Sequence, residues 1–574
     1  MSPLLVPVVV FLVRASRLSP ALPLLFVVLP LLHRVFLCRL PLRPLCLLLL
    51  TFPLTGFVLS TLLSREDLEC LAAAAPHRVS MLLAPEGDLD APDIPTPRSY
   101  AEVIAGEYSS QWQTAMDADM ASWKSTGTYV DDVPPPGANI VSGMWIFRVK
   151  RPPGSPPVFK ARCMARGFSQ REGVDFFQTF SPTPKMTTLR VLLHVAAQRD
   201  YELHSLDFST AFLEGSLHEE IWLRRPPGFT GSFPLGTQWS LQPPVYGLRQ
   251  APREWHDTLR TTLAALGFAP STADPSLFLR TDTSLPPFYV LVYVDDLVFA
   301  TADTEALALV KSELQKRHTC TDLGELHSYL GLQITRDRAR RTITLTQSHM
   351  VQQVLQRFGF TWSSAQATPL ATGHSLSAPP SDESVEPSGH YPELVGCLMY
   401  LMTCTRPDLA YPLGLLARYV APDRHRKMHM DAAKRVLCYL CSTSGMGLVL
   451  GGRGDVVLTV SWRSTRSSSV LGSSCEAEIY ATAMAAQELR WLTYLLTDLG
   501  ERPRSPPVLY HGQLRLTYVA TRANTADIFT KALPPGDHQR FCTLLGLVPT
   551  LPHLLLRGDV VIHPGLALHF MTDT

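Results

Sequence analysis

Asp295 and Asp296 stand side by side inside a run that is otherwise apolar. Phe288-Tyr289-Val290-Leu291-Val292 leads to them through Tyr293 and Val294, and Leu297-Val298-Phe299-Ala300 follows. Both flanks are rich in β-branched and aromatic residues, so each predicts a strand, with the acidic pair near the turn of a buried hairpin. An unpaired carboxylate buried there costs several kcal/mol, and two neighbours also repel. A divalent cation removes both penalties, since hard oxygen donors suit magnesium. The alternative is a polar hairpin tip in water. A third carboxylate bears on the choice. Asp207 ends the strand-like stretch His204-Ser205-Leu206 and precedes the helix-like Ser209-Thr210-Ala211-Phe212-Leu213. Three carboxylates from two strands suffice to hold two magnesium ions about 4 Å apart, clamping the attacking and leaving oxygens of phosphoryl transfer. Taken singly, Asp207 reads first as an ordinary strand-end aspartate.

The surrounding motifs occur in a fixed order. They are Ala161-Arg162-Cys163-Met164-Ala165-Arg166-Gly167-Phe168-Ser169-Gln170, then Thr179-Phe180-Ser181-Pro182, then Leu206-Asp207-Phe208 with Ala211-Phe212-Leu213. Tyr246-Gly247-Leu248-Arg249-Gln250-Ala251-Pro252-Arg253 and Tyr293-Val294-Asp295-Asp296 come next, then Leu323-Gly324, Tyr329-Leu330-Gly331-Leu332 and Thr405-Arg406-Pro407-Asp408. The ordered set, from about Trp112 to Leu533, resembles the reverse transcriptases of copia-type long-terminal-repeat retrotransposons, the C-terminal part of their Pol polyproteins. The resemblance implies an α+β right-hand polymerase with fingers, palm and thumb. Its activity would be RNA-directed DNA synthesis on an RNA or DNA template-primer, using deoxynucleoside triphosphates and two Mg2+ ions, with Mn2+ as a substitute. Asp207, Asp295 and Asp296 match the family's catalytic, metal-binding triad. Phe212 matches the aromatic that packs against the sugar of the incoming nucleotide. Tyr246 and Gly247 match the segment lining the template–nucleotide pocket, and Leu330-Gly331-Leu332 the hairpin that grips the primer end.

Charge is uninformative in total and informative in place. The chain is near neutral, at +1. Between Trp145 and Arg190, however, nine basic residues face only Glu172 and Asp175. In the family this stretch forms the fingers, so Lys160, Arg162 and Arg166 are expected on the triphosphate or template, giving salt-sensitive binding. The alternative is a solvated basic face. A second basic run, Arg424-His425-Arg426-Lys427 with Lys434 and Arg435, falls on a thumb-like helix, where His425 and His429 lack a third zinc ligand nearby.

The elements that must position these residues fit a chain of 574 residues, enough for about three or four domains. Pro- and Ser-rich stretches mark boundaries at 152–157 and 375–388. Fingers and palm are expected over 106–345 after a linker at 65–105, thumb and connection over 346–450, and a tail over 536–574. Eleven cysteines, scattered and odd in number, fit a reduced intracellular compartment.

Both ends depart from the family. Residues 1–64 hold no Asp, Glu or Lys, five Arg and eight Pro. Pro44–Leu63 lacks charge and is long enough for a membrane span, although its prolines equally suit a non-native reading frame. Residues 451–535 resemble a shortened ribonuclease H domain. Glu476 and Asp527 match two metal ligands, whereas Val460 runs directly into Ser461-Trp462 and Tyr510 into His511, so the segments bearing the other two Asp ligands are missing. Loss of ribonuclease H activity and a poorly ordered remnant are expected.

Overall fold

A computed structural model describes residues 5–6, 12–15, 94–150, 156–229, 236–360, 365–373, 376, 390–421, 424–452, 456–466, 474–501 and 524–550. The apolar stretch 44–63 lies outside them, and among the described residues no helix is long and apolar enough to cross a membrane.

The centre of the molecule is a six-stranded antiparallel sheet. Its order is Cys320–Glu325, Glu202–Phe208, Asp296–Thr301, Phe288–Tyr293, Leu277–Arg280, Phe268–Pro270. The unbroken apolar run around the acidic pair follows from burial on both faces. Tyr289 and Leu291, with Val298 and Ala300 opposite, pack under the helix Met186–Arg199. Phe288, Val290 and Val292, with Leu297 and Phe299, pack against Trp255, Leu259 and Leu263 of the helix Ala251–Ala265. Successive side chains point to opposite faces, so a strand covered twice must be apolar at every position. Each fully buried Val, Leu or Phe contributes about 1.5–3 kcal/mol.

A second sheet, in the stretch read as fingers, runs Tyr129–Asp132, Gln238–Leu241, Trp222–Arg224, Ile140–Lys150, Val158–Ala165, with one parallel pair joining Ile140–Lys150 to Trp222–Arg224. The helix Ser109–Ser125 covers it through Trp112, Met116 and Trp123, and Ile94 and Val103, from the stretch read as linker, are buried there too. A third sheet carries the hairpin of Leu330 and Gly331. Its order is Ser328–Tyr329, Leu332–Asp337, Thr342–Thr346, Met446–Gly451, Leu547–Pro549. The last strand and the helix Pro535–Leu544 before it come from the stretch read as tail, and Phe541 and Cys542 are buried in the same core.

The segment around Glu476 is docked on the central sheet. Its helix Ser474–Asp498 lies on the palm: the Trp491 indole donates to Ala273 O at 2.7 Å, and Tyr289 OH donates to Leu499 O at 2.7 Å. Asp498 accepts from Ser271 Oγ at 2.6 Å and Thr272 N at 2.9 Å, and Leu489, Leu492 and Leu495 are buried in the main core. Two short strands of the N-terminal segment, Leu5–Val6 and Leu12–Ala15, pair with Thr465–Arg466 and Val456–Thr459.

Candidate active site

The acidic hairpin closes in two residues, Val294 and Asp295, between the paired Tyr293 and Asp296. Val294 sits at φ 55°. A β-branched residue there is strained by roughly 1–3 kcal/mol, and the surroundings hold it. The Trp255 indole donates to Val294 O at 2.7 Å, and Phe208 N donates to Asp295 O at 2.9 Å. The tip is thereby fixed from the helix behind it and from the neighbouring strand.

That neighbour is the strand of Asp207, and the register sets Asp207 directly opposite Asp296. Directly opposed residues share a face of the sheet, and like charges so placed are destabilising. The three carboxylates, all partly buried, also act on the phenols around them. Burial, then Asp295 and Asp296, pushes Tyr293 up to about 12. Burial, then Asp295, Asp119 and Asp207, against the opposing Arg162, pushes Tyr246 up to about 12. Tyr329 is raised by burial, with Asp296 and Asp295 adding to it. The residues thus concentrate negative potential at one end of the palm sheet, and hard carboxylate oxygens on adjacent strands suit divalent cations. Among the described residues no three His, Cys, Asp or Glu side chains are already closed around one point.

Tyr246 and Gly247 reach this end of the sheet because they are stitched to the fingers. Ala165 N donates to Tyr246 O at 2.8 Å. Gly247 has φ +94°, and a Cβ on it would collide with the Ala165 backbone, while one on Gly167 would collide with Gly247 O. Two glycines therefore let two backbones touch. The two motifs also share buried amides: Gln170 Nε2 donates to Gln250 Oε1 at 3.0 Å, and Arg249 Nε to Gly167 O at 2.9 Å. The Arg162 guanidinium lies 3.9 Å from the centre of the Tyr246 ring. Phe212 completes the wall, its ring centre 4.7 Å from that of Tyr246. Arg162, Phe212, Tyr246 and Gly247 thus meet beside the carboxylates. Arg166 is exposed on the same strand end, and Lys160 pairs in register with Arg148 further out.

Leu330 and Gly331 form a second two-residue turn, with φ of 50° and 72°, between Tyr329 and the buried Leu332. Tyr400 OH donates to Leu330 O, fixing the turn from the helix Tyr391–Cys404.

Several basic and motif residues have structural duties instead. Arg190 is fully buried, donating to Val460 O at 2.7 Å and to Thr403 O and Cys404 O at 2.9 Å, so it is withdrawn from phosphate. Burial pulls its guanidinium down to about 9. Lys185 places its ammonium 3.8 Å from the Trp491 ring centre. Arg406 and Asp408 make a buried ion pair at 2.7 Å, with Tyr439 OH donating to Asp408 at 2.6 Å. His425 stacks on Tyr391, and His429 Nδ1 accepts from Arg426 N at 2.9 Å. Asp527 is buried and satisfied by Asn524 Nδ2 at 2.9 Å and Lys531 Nζ at 2.6 Å, whereas Glu476 is exposed at its helix start. One acid escapes sequence reasoning. Asp119 accepts from Cys163 N at 2.7 Å, and burial, opposed by that bond and by Arg162, raises it to about 6. Its only sequence signal is a lone carboxylate within the apolar face of Trp112, Met116, Met120 and Trp123.

Residues 128–372 match the family described as reverse transcriptase (RNA-dependent DNA polymerase). The chain is 30% identical over 517 residues to a retrovirus-related Pol polyprotein from transposon TNT 1-94 of Nicotiana tabacum, covering 79% of this chain and 39% of that one. It is 32% identical over 509 residues to the Pol polyprotein from transposon RE2 of Arabidopsis thaliana, covering 77% and 34%. A Ty5-1 transposon protein of Saccharomyces cerevisiae is 33% identical over 257 residues, with 44% of this chain and 81% of that protein covered. A solved foamy viral protease–reverse transcriptase, in complex with double-stranded DNA, aligns over 77% of this chain and 78% of that chain at 12% identity and a TM-score of 0.37. The class is that of the reverse transcriptase domains. Within it, the chain belongs to the copia-type retrotransposon Pol family, and it spans a little over a third of the length of the curated Pol polyproteins it matches.

Proposed function

We propose that this chain is an RNA-directed DNA polymerase, extending a primer 3′-hydroxyl with deoxynucleotides on an RNA template, and on DNA as well. The observation that carries the reading is the pairing of Asp207 with Asp296, next to Asp295, on a hairpin pinned at both flanks. Asp207, Asp295 and Asp296 would hold the magnesium ions, which when bound lower the pKa of the primer hydroxyl and neutralise the triphosphate. Arg162 and Arg166 would take the triphosphate charge, with Lys160 further along the strand. Phe212, against Tyr246, would lie flat under the sugar and exclude a ribose 2′-hydroxyl. The Leu330-Gly331-Leu332 turn, held by Tyr400 OH on Leu330 O, would grip the primer terminus.

Ribonuclease H chemistry is proposed to be lost. Asp527 has both oxygens engaged by Asn524 and Lys531. Primer extension by the full chain on an RNA template with a DNA primer, magnesium and deoxynucleotides tests the reading. Synthesis that persists in Asp295→Ala would sink it. A folded parent that binds primer–template without incorporating nucleotide at any magnesium concentration would instead identify a relic that only binds nucleic acid.

A further inference from the structure

We propose that Glu214 and His318 are positioning residues for Phe212, setting how strictly the site rejects a ribose 2′-hydroxyl. This rests on the reading above for the role of Phe212. That residue belongs to a single 3-10 turn, Ala211–Glu214, which follows the strand of Asp207. Leu213 N donates to Thr210 O at 2.9 Å and Gly215 N to Phe212 O at 3.2 Å. So short a turn, with the poorer hydrogen-bond geometry of a 3-10 helix, does not hold a ring in place unaided.

Glu214 supplies the rigidity. Its Oε1 accepts from Thr210 Oγ1 at 3.0 Å, across the turn, and from Thr319 N at 2.9 Å. Its Oε2 lies 2.6 Å from His318 Nδ1. Nε2 of the same ring lies 3.0 Å from Thr262 Oγ1 of the helix Ala251–Ala265, so both ring nitrogens are engaged. The side chains of His318 and Glu214 are only 7% and 15% exposed, so water competes little with these bonds. Burial would raise the Glu214 carboxyl, but His318, Thr319 N and Thr210 outweigh it and keep it below the usual range. It stays ionised as the acceptor for all three.

A histidine–glutamate pair at a helix end is commonly no more than a brace, and its place decides otherwise here. His318 follows the helix Thr304–Arg317, and its ring meets Phe208 and Trp255 edge-on, at 5.6 and 5.5 Å between centres. Trp255 is the indole that pins Val294 O in the acidic hairpin. The pair therefore ties the turn of Phe212 to the same support as Asp295 and Asp296. Glu214 and His318 themselves open onto a cleft of about 620 Å³ whose lining includes neither Phe212 nor Tyr246, so their effect on a nucleotide passes through Phe212. Close contact is steep in distance, and a ring freed to recede by part of an ångström admits the extra oxygen.

Single-nucleotide incorporation by the full chain on primer–template tests this, comparing a deoxynucleotide with the matching ribonucleotide, with equilibrium binding of the same two nucleotides alongside. The parent is expected to prefer the deoxynucleotide in both assays, and Phe212→Ala to lose that preference. Glu214→Ala and His318→Ala are each expected to lose on the order of tenfold of it, through a lower ribonucleotide KM. His318→Asn, which keeps a donor at the place of Nδ1, is expected to retain it. Gly267→Ala, a loosening of the fold elsewhere, is expected to keep the parent's preference. Thermal melting checks that each variant folds, and His318→Ala carries the test if Glu214→Ala does not. The parent's preference in Glu214→Ala and His318→Ala, with its loss in Phe212→Ala, overturns the proposal and leaves the polymerase reading standing. An equal loss in Gly267→Ala also overturns it, since any loosening would then suffice. A parent that binds the two nucleotides unequally but incorporates neither counts against the polymerase reading alone, and the binding ratios then decide the proposal in the same way. A parent without sugar preference in either assay overturns the proposal together with the role of Phe212.

Discussion

Gly247→Ala probes the contact that brings fingers to palm. The missing Cβ would lie 3.1 Å from both Ala165 N and Ala165 C and nearer still to its carbonyl oxygen, at φ +94°. A left-handed conformation costs a residue with a Cβ about 1–2 kcal/mol. Relieving the collision separates Ala165 N from Tyr246 O, now 2.8 Å apart. An amide bond lost with its partners buried costs a further ~1–3 kcal/mol. The expected total is roughly 2–5 kcal/mol. Gly267 gives the control: its φ is +84° but nothing lies within 4 Å of its missing Cβ, so Gly267→Ala should cost only the first ~1–2 kcal/mol. Urea midpoints at constant slope measure both. Because Tyr246 also carries Arg162 and Phe212, Gly247→Ala should raise the nucleotide KM several-fold, whereas Gly267→Ala should not. Equal destabilisation by the two variants, with unchanged KM, would refute the argument that this approach builds the pocket.

Other expectations follow from buried charge. Asp408→Ala strands the Arg406 guanidinium in the core and should cost about 3–5 kcal/mol, whereas Tyr439→Phe should cost about 1.5–3 kcal/mol, both read from urea midpoints. Burial alone would raise the Asp408 carboxyl, but Arg406 and Tyr439 outweigh it and hold it below the usual range. Its stabilisation is therefore complete above the ordinary carboxylate value and lost as pH falls through the lower folded value. His194 acts in the same direction: burial, opposed by Glu501, lowers it from 6.5 to about 4, and its Nδ1 accepts from Gly451 N. Between those values the unfolded chain binds the extra proton, so stability should fall as pH drops through that window. The slope of urea midpoint against pH should be shallower in His194→Gln; an identical slope would exclude His194 as its source. Glu476→Ala and Asp527→Ala should leave RNA release from a labelled hybrid at the parent's background level. Asp527→Ala should also lose about 1–3 kcal/mol, because Asn524 and Lys531 lose their acceptor.

The acidic hairpin was legible because its signal is local. A strand buried on both faces is apolar at every position, and two adjacent aspartates mark the turn. The flanking runs correspond to Phe288–Tyr293 and Asp296–Thr301, and the strand expected to end at Asp207 runs to Phe208. Pairing of Asp207 with Asp296, by contrast, is a register that chemistry suggests but no local pattern dictates. The Gly167–Gly247 approach spans eighty positions, and a glycine gives no hint of which distant backbone it admits. Arg190 and Arg166 look alike in sequence, yet one is folded into carbonyls and the other exposed. Thr405-Arg406-Pro407-Asp408 carries charge of the kind that suggests a site and is a buried brace instead. The docking of the helix Ser474–Asp498 depends on Ala273, Tyr289 and Asp498 making contacts between distant segments, which periodicity cannot reveal.

The central claim is that Asp207, Asp295 and Asp296 act as one unit on the primer terminus. Single-turnover incorporation of one deoxynucleotide by Asp207→Asn, Asp295→Asn and Asp296→Asn, with primer–template binding measured alongside, tests it most directly. Each variant is expected to bind primer–template as the parent does and to lose incorporation on the order of a thousandfold or more, with no further loss when two changes are combined. A single one of the three that incorporates at the parent's rate would contradict it.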